Sequence, residues 1–226
     1  MVEEKIVLIT GASSGIGEAT AKTLVENGHK VILTARSKDK LTALVDELGA
    51  ENAYAITADA TDFNELENVV KKGIEKYGRL DVAFANAGMG VSTAGTENGD
   101  VDEWRQMLDI NINALLYTAK LTLPHLRETT GHFILTSSAA GRVTIPGSIY
   151  GATKWFAYGF GQNLAEEMKE WQGRCTTIAP GMVNTPFFNE AKPDKLDPTD
   201  VAEAVLFAIE ANPRCNMREL FLMPTN

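Results

Sequence analysis

A phenol and an amine lie one helical turn apart in the segment Tyr150-Gly-Ala-Thr-Lys154. Residues four apart share one face of a helix, so both side chains can reach the same ligand. A phenol with the ordinary pKa of about 10 exchanges protons poorly at neutral pH, and a neighbouring ammonium favours its charged form. The pair is therefore suited to moving one proton to or from a substrate oxygen, provided that its position in the fold supports this chemistry.

Two serines, Ser137 and Ser138, end the apolar run that precedes this pair. In parallel α/β sheets, ligands bind outside the carboxyl ends of the strands. A hydroxyl at such a strand end is placed to hydrogen-bond a ligand that binds there. Ser138, Tyr150 and Lys154 are thus expected to converge on one ligand.

A glycine-rich turn, Thr10-Gly-Ala-Ser-Ser-Gly-Ile-Gly17, joins the first apolar run to an amphipathic stretch. Glycines let the backbone turn tightly and let a pyrophosphate approach the helix N-terminus, whose free N–H groups attract negative charge. A Walker-type loop would need Gly-Lys-Ser/Thr, which Gly17-Glu18-Ala19 does not supply. The Gly-x-Ser-x-Gly pattern of hydrolases is present, but those enzymes need a later acid and histidine, and the last histidine is His132. The turn favours a dinucleotide, with a plain strand-to-helix turn as the alternative.

The end of the second predicted strand indicates which dinucleotide binds. NAD-specific sites of this architecture commonly place a carboxylate there, against the ribose 2′-hydroxyl. This chain has Ala35 at that position, followed by Arg36-Ser37. Arg36 can form charge-assisted hydrogen bonds with a 2′-phosphate. The sequence therefore predicts NADP(H) in preference to NAD(H), and the alternative is that Arg36 is a solvated surface cation.

Short β-branched runs alternate with longer amphipathic stretches, which is typical of βαβ units and a parallel sheet. The predicted fold class is α/β, a doubly wound seven-stranded parallel sheet with helices on both faces, in one domain over residues 1–226. Strands are predicted at Lys5–Thr10, Lys30–Ala35, Ala53–Ala58, Asp81–Ala85, Gly131–Ser137, Arg174–Ala179 and Glu219–Met223. Helices are predicted at Ile16–Asn27, Lys38–Leu48, Asn64–Tyr77, Val101–Leu126, Ile149–Glu170 and Pro198–Ala211.

The composition, 44% hydrophobic and 23% charged over 226 residues, is that of an ordinary globular protein. No apolar run approaches the roughly 20 residues that span a bilayer, so no membrane association is expected. Two cysteines, Cys175 and Cys215, cannot form a disulfide framework, which with no visible signal peptide predicts a cytoplasmic protein. A net charge of -9 argues against nucleic acid as a partner. His29, His125 and His132 are scattered, so no metal site is expected.

Together these motifs resemble the short-chain dehydrogenase/reductase family along nearly the whole chain. The matching segments, in order, are Thr10–Gly17, Asp59 in Ala-Asp-Ala-Thr-Asp, Asn86-Ala-Gly88, Asn111, Ser138, Tyr150-x-x-x-Lys154 and Pro180-Gly-Met-Val-Asn-Thr185. The family often has Asn-Asn-Ala-Gly where this chain has Ala85-Asn-Ala-Gly88, and Ala85 is expected to pack at the strand end. The resemblance implies a Rossmann fold and a reversible NADP(H)-dependent carbonyl reductase.

The resemblance also implies catalytic roles. Tyr150 would protonate the developing alkoxide, or remove the alcohol proton in the reverse reaction. Lys154 and the oxidised cofactor would depress the pKa of that phenol, and Lys154 would bind the nicotinamide ribose. Ser138 is expected to hold the carbonyl oxygen in preference to Ser137, because the family serine precedes x-x-Gly, as Ser138 precedes Gly141.

Asn111 is expected to hold a water molecule that links Lys154 to solvent, with Asn113 as its competitor and a structural bridge between helices as the alternative role. Asp59 is expected to contact the adenine amino group, or else to cap the following turn. The residues expected to contact the dinucleotide are Gly11, Ser13, Ser14, Gly15, Ile16, Gly17, Arg36, Ser37, Asp59, Ala60, Asn86, Ala87, Gly88, Tyr150, Lys154, Pro180, Gly181, Val183 and Thr185.

A short substrate lid is expected at about residues 185–197, by resemblance to the family. Phe187 and Phe188 within it predict an open apolar pocket for small or medium hydrophobic ketones and aldehydes; the alternative is that they only pack the lid onto the sheet. Met89, Ile145 and Met182 are further candidates for the pocket wall.

Three other activities stay open: a 3-oxoacyl-carrier-protein reductase, a hydroxy-acid dehydrogenase of the serine type, and an NADP(H)-binding sensor without turnover. An acyl-carrier partner would need basic residues at the pocket mouth, and this acidic chain offers few. A hydroxy acid would need a cationic anchor, for which Arg142 and Lys192 are the candidates. Two long helices, Val101–Leu126 and Ile149–Glu170, carry enough apolar residues for a second packed face, so a homodimer or homotetramer is expected.

Overall fold

One parallel sheet forms the centre of the protein. The computed structural model describes residues 3–93, 95–188 and 190–225, and within them the strand order is β3-β2-β1-β4-β5-β6-β7. The strands are β1 Ile6–Thr10, β2 Lys30–Ala35, β3 Ala53–Thr57, β4 Val82–Ala85, β5 His132–Thr136, β6 Arg174–Pro180 and β7 Glu219–Leu222. The predicted fold class, a doubly wound α/β sheet, is confirmed.

Seven α-helices of the described residues cover the two faces of this sheet. They are α1 Gly15–Glu26, α2 Lys38–Leu48, α3 Phe63–Tyr77, α4 Val101–Leu108, α5 Ala114–Thr129, α6 Ile149–Met168 and α7 Pro198–Glu210. None of the helices in these ranges is long and apolar enough to cross a membrane.

Two apolar cores lie on opposite faces of the sheet, because alternate side chains of a strand point in opposite directions. Leu8 of β1 packs in the core that α3, α5 and α6 cover. Ile9, the next residue, packs in the core that α1, α2 and α7 cover. All five residues of β1 are buried, as expected for a central strand covered on both faces.

The long helix predicted at Val101–Leu126 is interrupted, so that prediction is wrong in detail. A π-helical turn, Asp109–Asn113, separates α4 from α5, which continues to Thr129. Such a turn inserts one extra residue into the helix, and a pattern of apolar residues does not reveal it. The insertion turns Asn111 inward, where it is 3% exposed. The other predicted bounds differ from the structure by a few residues.

The parallel topology brings the functional motifs to one edge of the sheet. The glycine turn follows β1, Asn86 follows β4, Ser138 lies beyond the end of β5, and Pro180 ends β6. Because all the strands run in the same direction, these residues share the carboxyl edge, where ligands of such sheets bind.

His132 lies at the opposite edge and is expected to make stability depend on pH. It is 2% exposed, its Nε2 lies 2.7 Å from Thr176 Oγ1, and burial lowers the pKa of His132 well below 6.5, with the charge of Arg174 acting in the same direction. The unfolded chain therefore binds a proton that the folded protein excludes. The free energy of unfolding is therefore highest above the pKa that His132 has in the unfolded chain. Below that pKa it falls by up to about 1.4 kcal/mol per pH unit.

We expect the Tm of the native protein to fall between about pH 7 and about pH 5, and His132→Gln to flatten that dependence. His125→Gln, at a half-buried position on α5, is the matched control. An unchanged pH dependence in His132→Gln would contradict this assignment.

Candidate active site

The glycine turn between β1 and α1 is built for close approach by an anion. Gly11 and Gly15 have positive φ angles of 66° and 56°, which side chains disfavour. A Cβ atom on Gly17 would lie 2.4 Å from the Gly11 carbonyl oxygen. The side chain of Ser14 does not cap α1, so the N–H groups of the first helical turn stay available to a phosphate. The cradle fits the pyrophosphate of a dinucleotide.

The ends of β2 and β3 lie at the same edge of the sheet as the glycine turn. Arg36 and Ser37 are exposed directly after β2. Asp59 Oδ1 accepts hydrogen bonds from the backbone N and hydroxyl of Thr61 at 2.9 and 2.8 Å. Burial alone would raise the pKa of Asp59, but these bonds and the nearby charge of Arg36 lower it. The bonds match the turn-capping alternative for Asp59, whereas adenine contact by Asp59 and Ala60 stays a prediction.

Asn86 holds three strand ends together, a role that sequence analysis did not predict. Its side-chain Nδ2 donates to the Thr10 carbonyl oxygen at 3.2 Å, and its Oδ1 accepts from the Thr136 hydroxyl at 3.2 Å. The backbone N atoms of Asn86 and Ala87 both donate to Thr10 Oγ1 at 3.1 Å. The Thr10 hydroxyl therefore holds the backbone at Asn86 and Ala87. The predicted cofactor contacts of Ala87 and Gly88 remain predictions. The sequence feature that could have indicated these hydrogen bonds is Thr10, a threonine at the end of β1.

Tyr150 lies in the first turn of α6, which Ser148 caps by accepting from the Gly151 backbone N at 2.9 Å. Burial raises the pKa of Tyr150, while a hydrogen bond from Ser138 acts in the opposite direction. Lys154 Nζ lies 5.7 Å from the centre of the Tyr150 ring. The structure thus brings the predicted serine, phenol and amine together.

Lys154 is 5% exposed, and its Nζ donates to the Thr136 carbonyl oxygen at 3.0 Å. Burial lowers the pKa of Lys154 to about 8. The expectation that Lys154 and the oxidised cofactor together depress the pKa of Tyr150 stays a prediction. A lysine with this pKa can hold or release a proton near neutral pH.

The two serines have different surroundings. Ser137 is 1% exposed, and its hydroxyl donates to the Lys154 carbonyl oxygen at 2.8 Å. Ser138 is half-buried. Its hydroxyl accepts from the Ala140 backbone N at 3.1 Å, meets Tyr150, and donates to the Pro180 carbonyl oxygen only over a long distance, 3.4 Å. Ser138 can therefore turn towards a substrate, whereas Ser137 is occupied in positioning α6.

Asn111 connects the π-helical turn to the loop after β4 and to α6. Its Nδ2 donates to the Met89 carbonyl oxygen at 2.9 Å and to Thr153 Oγ1 at 3.0 Å, and its Oδ1 accepts from the Met89 N at 2.9 Å. Thr153 in turn donates to the Tyr150 carbonyl oxygen at 2.7 Å. These bonds match the bridging alternative and support the backbone beneath Tyr150. A water-holding role for Asn111 stays a prediction.

The sequence matches the family model described as short chain dehydrogenase over residues 5–196. The chain belongs to the short-chain dehydrogenase family. An uncharacterized oxidoreductase of Staphylococcus aureus (strain MRSA252) is 38% identical to it over 229 residues, which cover 99% of both proteins. The chain is therefore an oxidoreductase.

Solved structures of several dehydrogenases are similar to this short-chain dehydrogenase. An alcohol dehydrogenase of Thermococcus sibiricus, complexed with 5-hydroxy-NADP, has a TM-score of 0.91 at 31% identity and covers 99% of this chain and 97% of its own. A serine dehydrogenase of Escherichia coli has a TM-score of 0.89 at 33% identity, with 97% of each chain covered. A 3-ketoacyl-(acyl-carrier-protein) reductase of Brucella melitensis, complexed with NADH, has a TM-score of 0.92 at 25% identity and covers 99% of this chain and 98% of its own.

In this short-chain dehydrogenase the segment after β6 closes over the site. Gly181 N donates to the Leu222 carbonyl oxygen at 2.7 Å, and Val183, 5% exposed, pairs with Leu196 in an isolated bridge. Thr185 lies so close to the glycine turn that a Cβ on Gly15 would be 3.0 Å from its Cγ2. The predicted lid is therefore a loop fixed at its base, although the prediction includes Asn189, which lies outside the described residues.

Both candidate anchors for an acidic substrate are engaged with other groups. Arg142 Nε lies 3.1 Å from Glu219 Oε1, and its guanidinium carbon lies 4.0 Å from the centre of the Tyr158 ring. Lys192 Nζ lies 3.5 Å from Glu190 Oε2. The packing of Arg142 disfavours a carboxylate-bearing substrate held by that residue, whereas the exposed ion pair of Lys192 contributes at most about 1 kcal/mol and leaves Lys192 as a candidate anchor.

Proposed function

We propose that this protein is an NADP(H)-dependent oxidoreductase that interconverts small or medium, neutral, hydrophobic ketones or aldehydes and their alcohols. The observation that carries the proposal is the meeting of Ser138 and Tyr150, with Lys154 behind them, at the edge of the sheet that holds the glycine turn. Family membership makes the chain an oxidoreductase, and these side chains supply a hydrogen-bond donor and a proton donor for one carbonyl oxygen.

Each side chain has a defined part in this chemistry. The dinucleotide, when bound, supplies or accepts a hydride. Ser138 Oγ donates a hydrogen bond to the carbonyl oxygen and orients it. Tyr150 Oη gives its proton to that oxygen during reduction and takes it back during oxidation. Lys154, with its pKa lowered to about 8, holds a proton next to the phenol as the phenol changes charge.

NADP(H) is favoured by the residues around the 2′ position. Ala35 ends β2 without a carboxylate, and Arg36 is exposed directly after it. Similar structures include an alcohol dehydrogenase with 5-hydroxy-NADP and a serine dehydrogenase with NADP+, although a similar reductase carries NADH. We therefore propose that Arg36 and Ser37 bind the 2′-phosphate.

Ala35→Asp combined with Arg36→Ala should lower kcat/KM with NADPH relative to NADH by about 10- to 100-fold. A new carboxylate repels the phosphate, and a charge-assisted bond of this type is lost. Steady-state kinetics with both cofactors measure this ratio, and Arg105→Ala, an exposed arginine on α4, is the matched control. An unchanged ratio in the double variant would overturn the assignment.

The direct test of the proposed function is NADPH oxidation by the purified protein, followed by the absorbance of the reduced nicotinamide. The panel should contain neutral ketones and aldehydes, a β-keto ester and a 3-oxoacyl carrier substrate, with serine and a 3-hydroxy acid assayed with NADP+. Turnover highest with the neutral carbonyls supports the proposal. Turnover only with hydroxy acids or acyl-carrier substrates would replace it by that activity, and dinucleotide binding without turnover would favour a sensor.

We also propose that the protein works in the cytoplasm as a homodimer or homotetramer. Leu108 at the end of α4 and Trp155 and Phe156 on α6 are 41%, 45% and 38% exposed, and we propose that they contribute to a subunit interface. Light scattering of the purified protein tests this, and a monomer at micromolar concentration would contradict it.

A further inference from the structure

The ring of Phe187 packs against the ring of the candidate catalytic residue Tyr150. Its ring centre lies 5.6 Å from the ring centre of Tyr150, with the two planes tilted by 57°. On its other side it meets Phe188 edge-on, at 5.2 Å. Phe187 is nevertheless 44% exposed. The Phe187 ring therefore contacts aromatic rings on two sides while part of it faces solvent.

The position of the Phe187 ring depends on a glycine in a different loop. A Cβ atom on Gly90, in the loop after β4, would lie 3.0 Å from Phe187 Cζ and 3.3 Å from its Cε1. Gly90 does not have one of the positive φ angles, so its backbone would accept a side chain. Glycine at this position therefore leaves room for the Phe187 ring, although the backbone conformation does not require a glycine.

We propose that Phe187, seated against Gly90, is a size gate for the carbonyl substrate. The inference rests on the proposed function and specifies which substrates that site accepts. The ring covers the side of Tyr150 from which a substituent of the carbonyl carbon would project, so small groups pass beneath it and branched groups collide with it. Because the ring is held by van der Waals contact with two loops, its position depends on both.

Kinetics with two ketones that differ only in bulk test the gate. Acetophenone carries a methyl group where isobutyrophenone carries an isopropyl group. Phe187→Ala should raise the ratio of kcat/KM for isobutyrophenone to that for acetophenone by about 10-fold or more, the scale on which a hydrophobic pocket distinguishes added carbon atoms. Phe187→Leu should give an intermediate ratio, and Phe207→Ala, an exposed phenylalanine on α7, should leave the ratio unchanged.

The contact with Gly90 gives a second, independent readout. Gly90→Ala should change the ratio by about twofold or more in the native background, because contacting residues are coupled by at least that much. The same substitution should have no effect in the Phe187→Ala background, where the new methyl group meets no ring. Thermal denaturation of each variant verifies that it is folded.

The outcomes distinguish failure of the size gate from failure of the proposed function. A folded, active Phe187→Ala variant with the native ratio overturns the gate alone, as does a Gly90→Ala effect of equal size in both backgrounds. A native protein that reduces neither ketone, nor any other carbonyl of the panel, overturns the proposed function and the gate with it.

Discussion

Tyr150→Phe is expected to lower kcat for carbonyl reduction by about 10²- to 10⁴-fold, the usual contribution of a positioned proton donor. The substitution keeps the ring, which packs against Phe187, and removes only the hydroxyl that meets Ser138. Affinity for the dinucleotide, measured by fluorescence titration, should change little by comparison. The loss should therefore be in turnover.

Tyr158→Phe is the matched control for this variant. Tyr158 lies on the same helix, α6, and its ring packs under the guanidinium of Arg142. Removing its hydroxyl leaves Tyr150, Ser138 and Lys154 in place. If the two tyrosine variants had the same turnover, Tyr150 would not be the proton donor, even though the fold would be unaffected.

Ser138→Ala is expected to lower kcat by about 10²- to 10³-fold, the cost of removing one hydrogen-bond donor to the developing oxyanion. The 3.4 Å bond of Ser138 to Pro180 contributes little to stability, whereas loss of the capping bond that Ser138 accepts from the Ala140 N costs about 1 kcal/mol in the free energy of unfolding. The variant should therefore stay folded, with a small fall in Tm, while losing turnover.

Ser137→Ala should lower stability but not turnover. It removes the 2.8 Å hydrogen bond to the Lys154 carbonyl oxygen, which costs about 1 kcal/mol in the free energy of unfolding. Its kcat should stay within several-fold of the native value, because the hydroxyl faces the protein. A larger loss of turnover in Ser137→Ala than in Ser138→Ala would exchange the roles of the two serines.

The fold could be predicted from the sequence because its signals are local. Apolar runs, helix stops and the glycine turn each occupy a few consecutive residues, and a parallel sheet places their ends at one edge. The choice of Ser138 over Ser137 also follows from a short pattern, and the two environments found here agree with it. The π-helical turn at Asn111 has no such signal, because an inserted residue leaves the composition of the helix unchanged.

Features that arise between distant segments could not be predicted in this way. The contact between Phe187 and Gly90 joins two loops, and the sequence of neither loop indicates that the other lies against it. The direction of the Tyr150 pKa is a second example. A sequence shows the lysine four residues away, but the desolvation that raises the pKa of Tyr150 depends on the whole fold.

The central claim is that Ser138 and Tyr150 act on one carbonyl oxygen beside the nicotinamide of a dinucleotide, and that the pyrophosphate of this dinucleotide binds at the glycine turn. A crystal structure of the protein with NADP+ and an unreactive ketone analogue tests it most directly. We expect Tyr150 Oη and Ser138 Oγ both to lie about 3 Å or less from the analogue's oxygen, with Lys154 against the nicotinamide ribose. An oxygen bound out of reach of both hydroxyls, or a Tyr150 hydroxyl turned away from the nicotinamide, would contradict it.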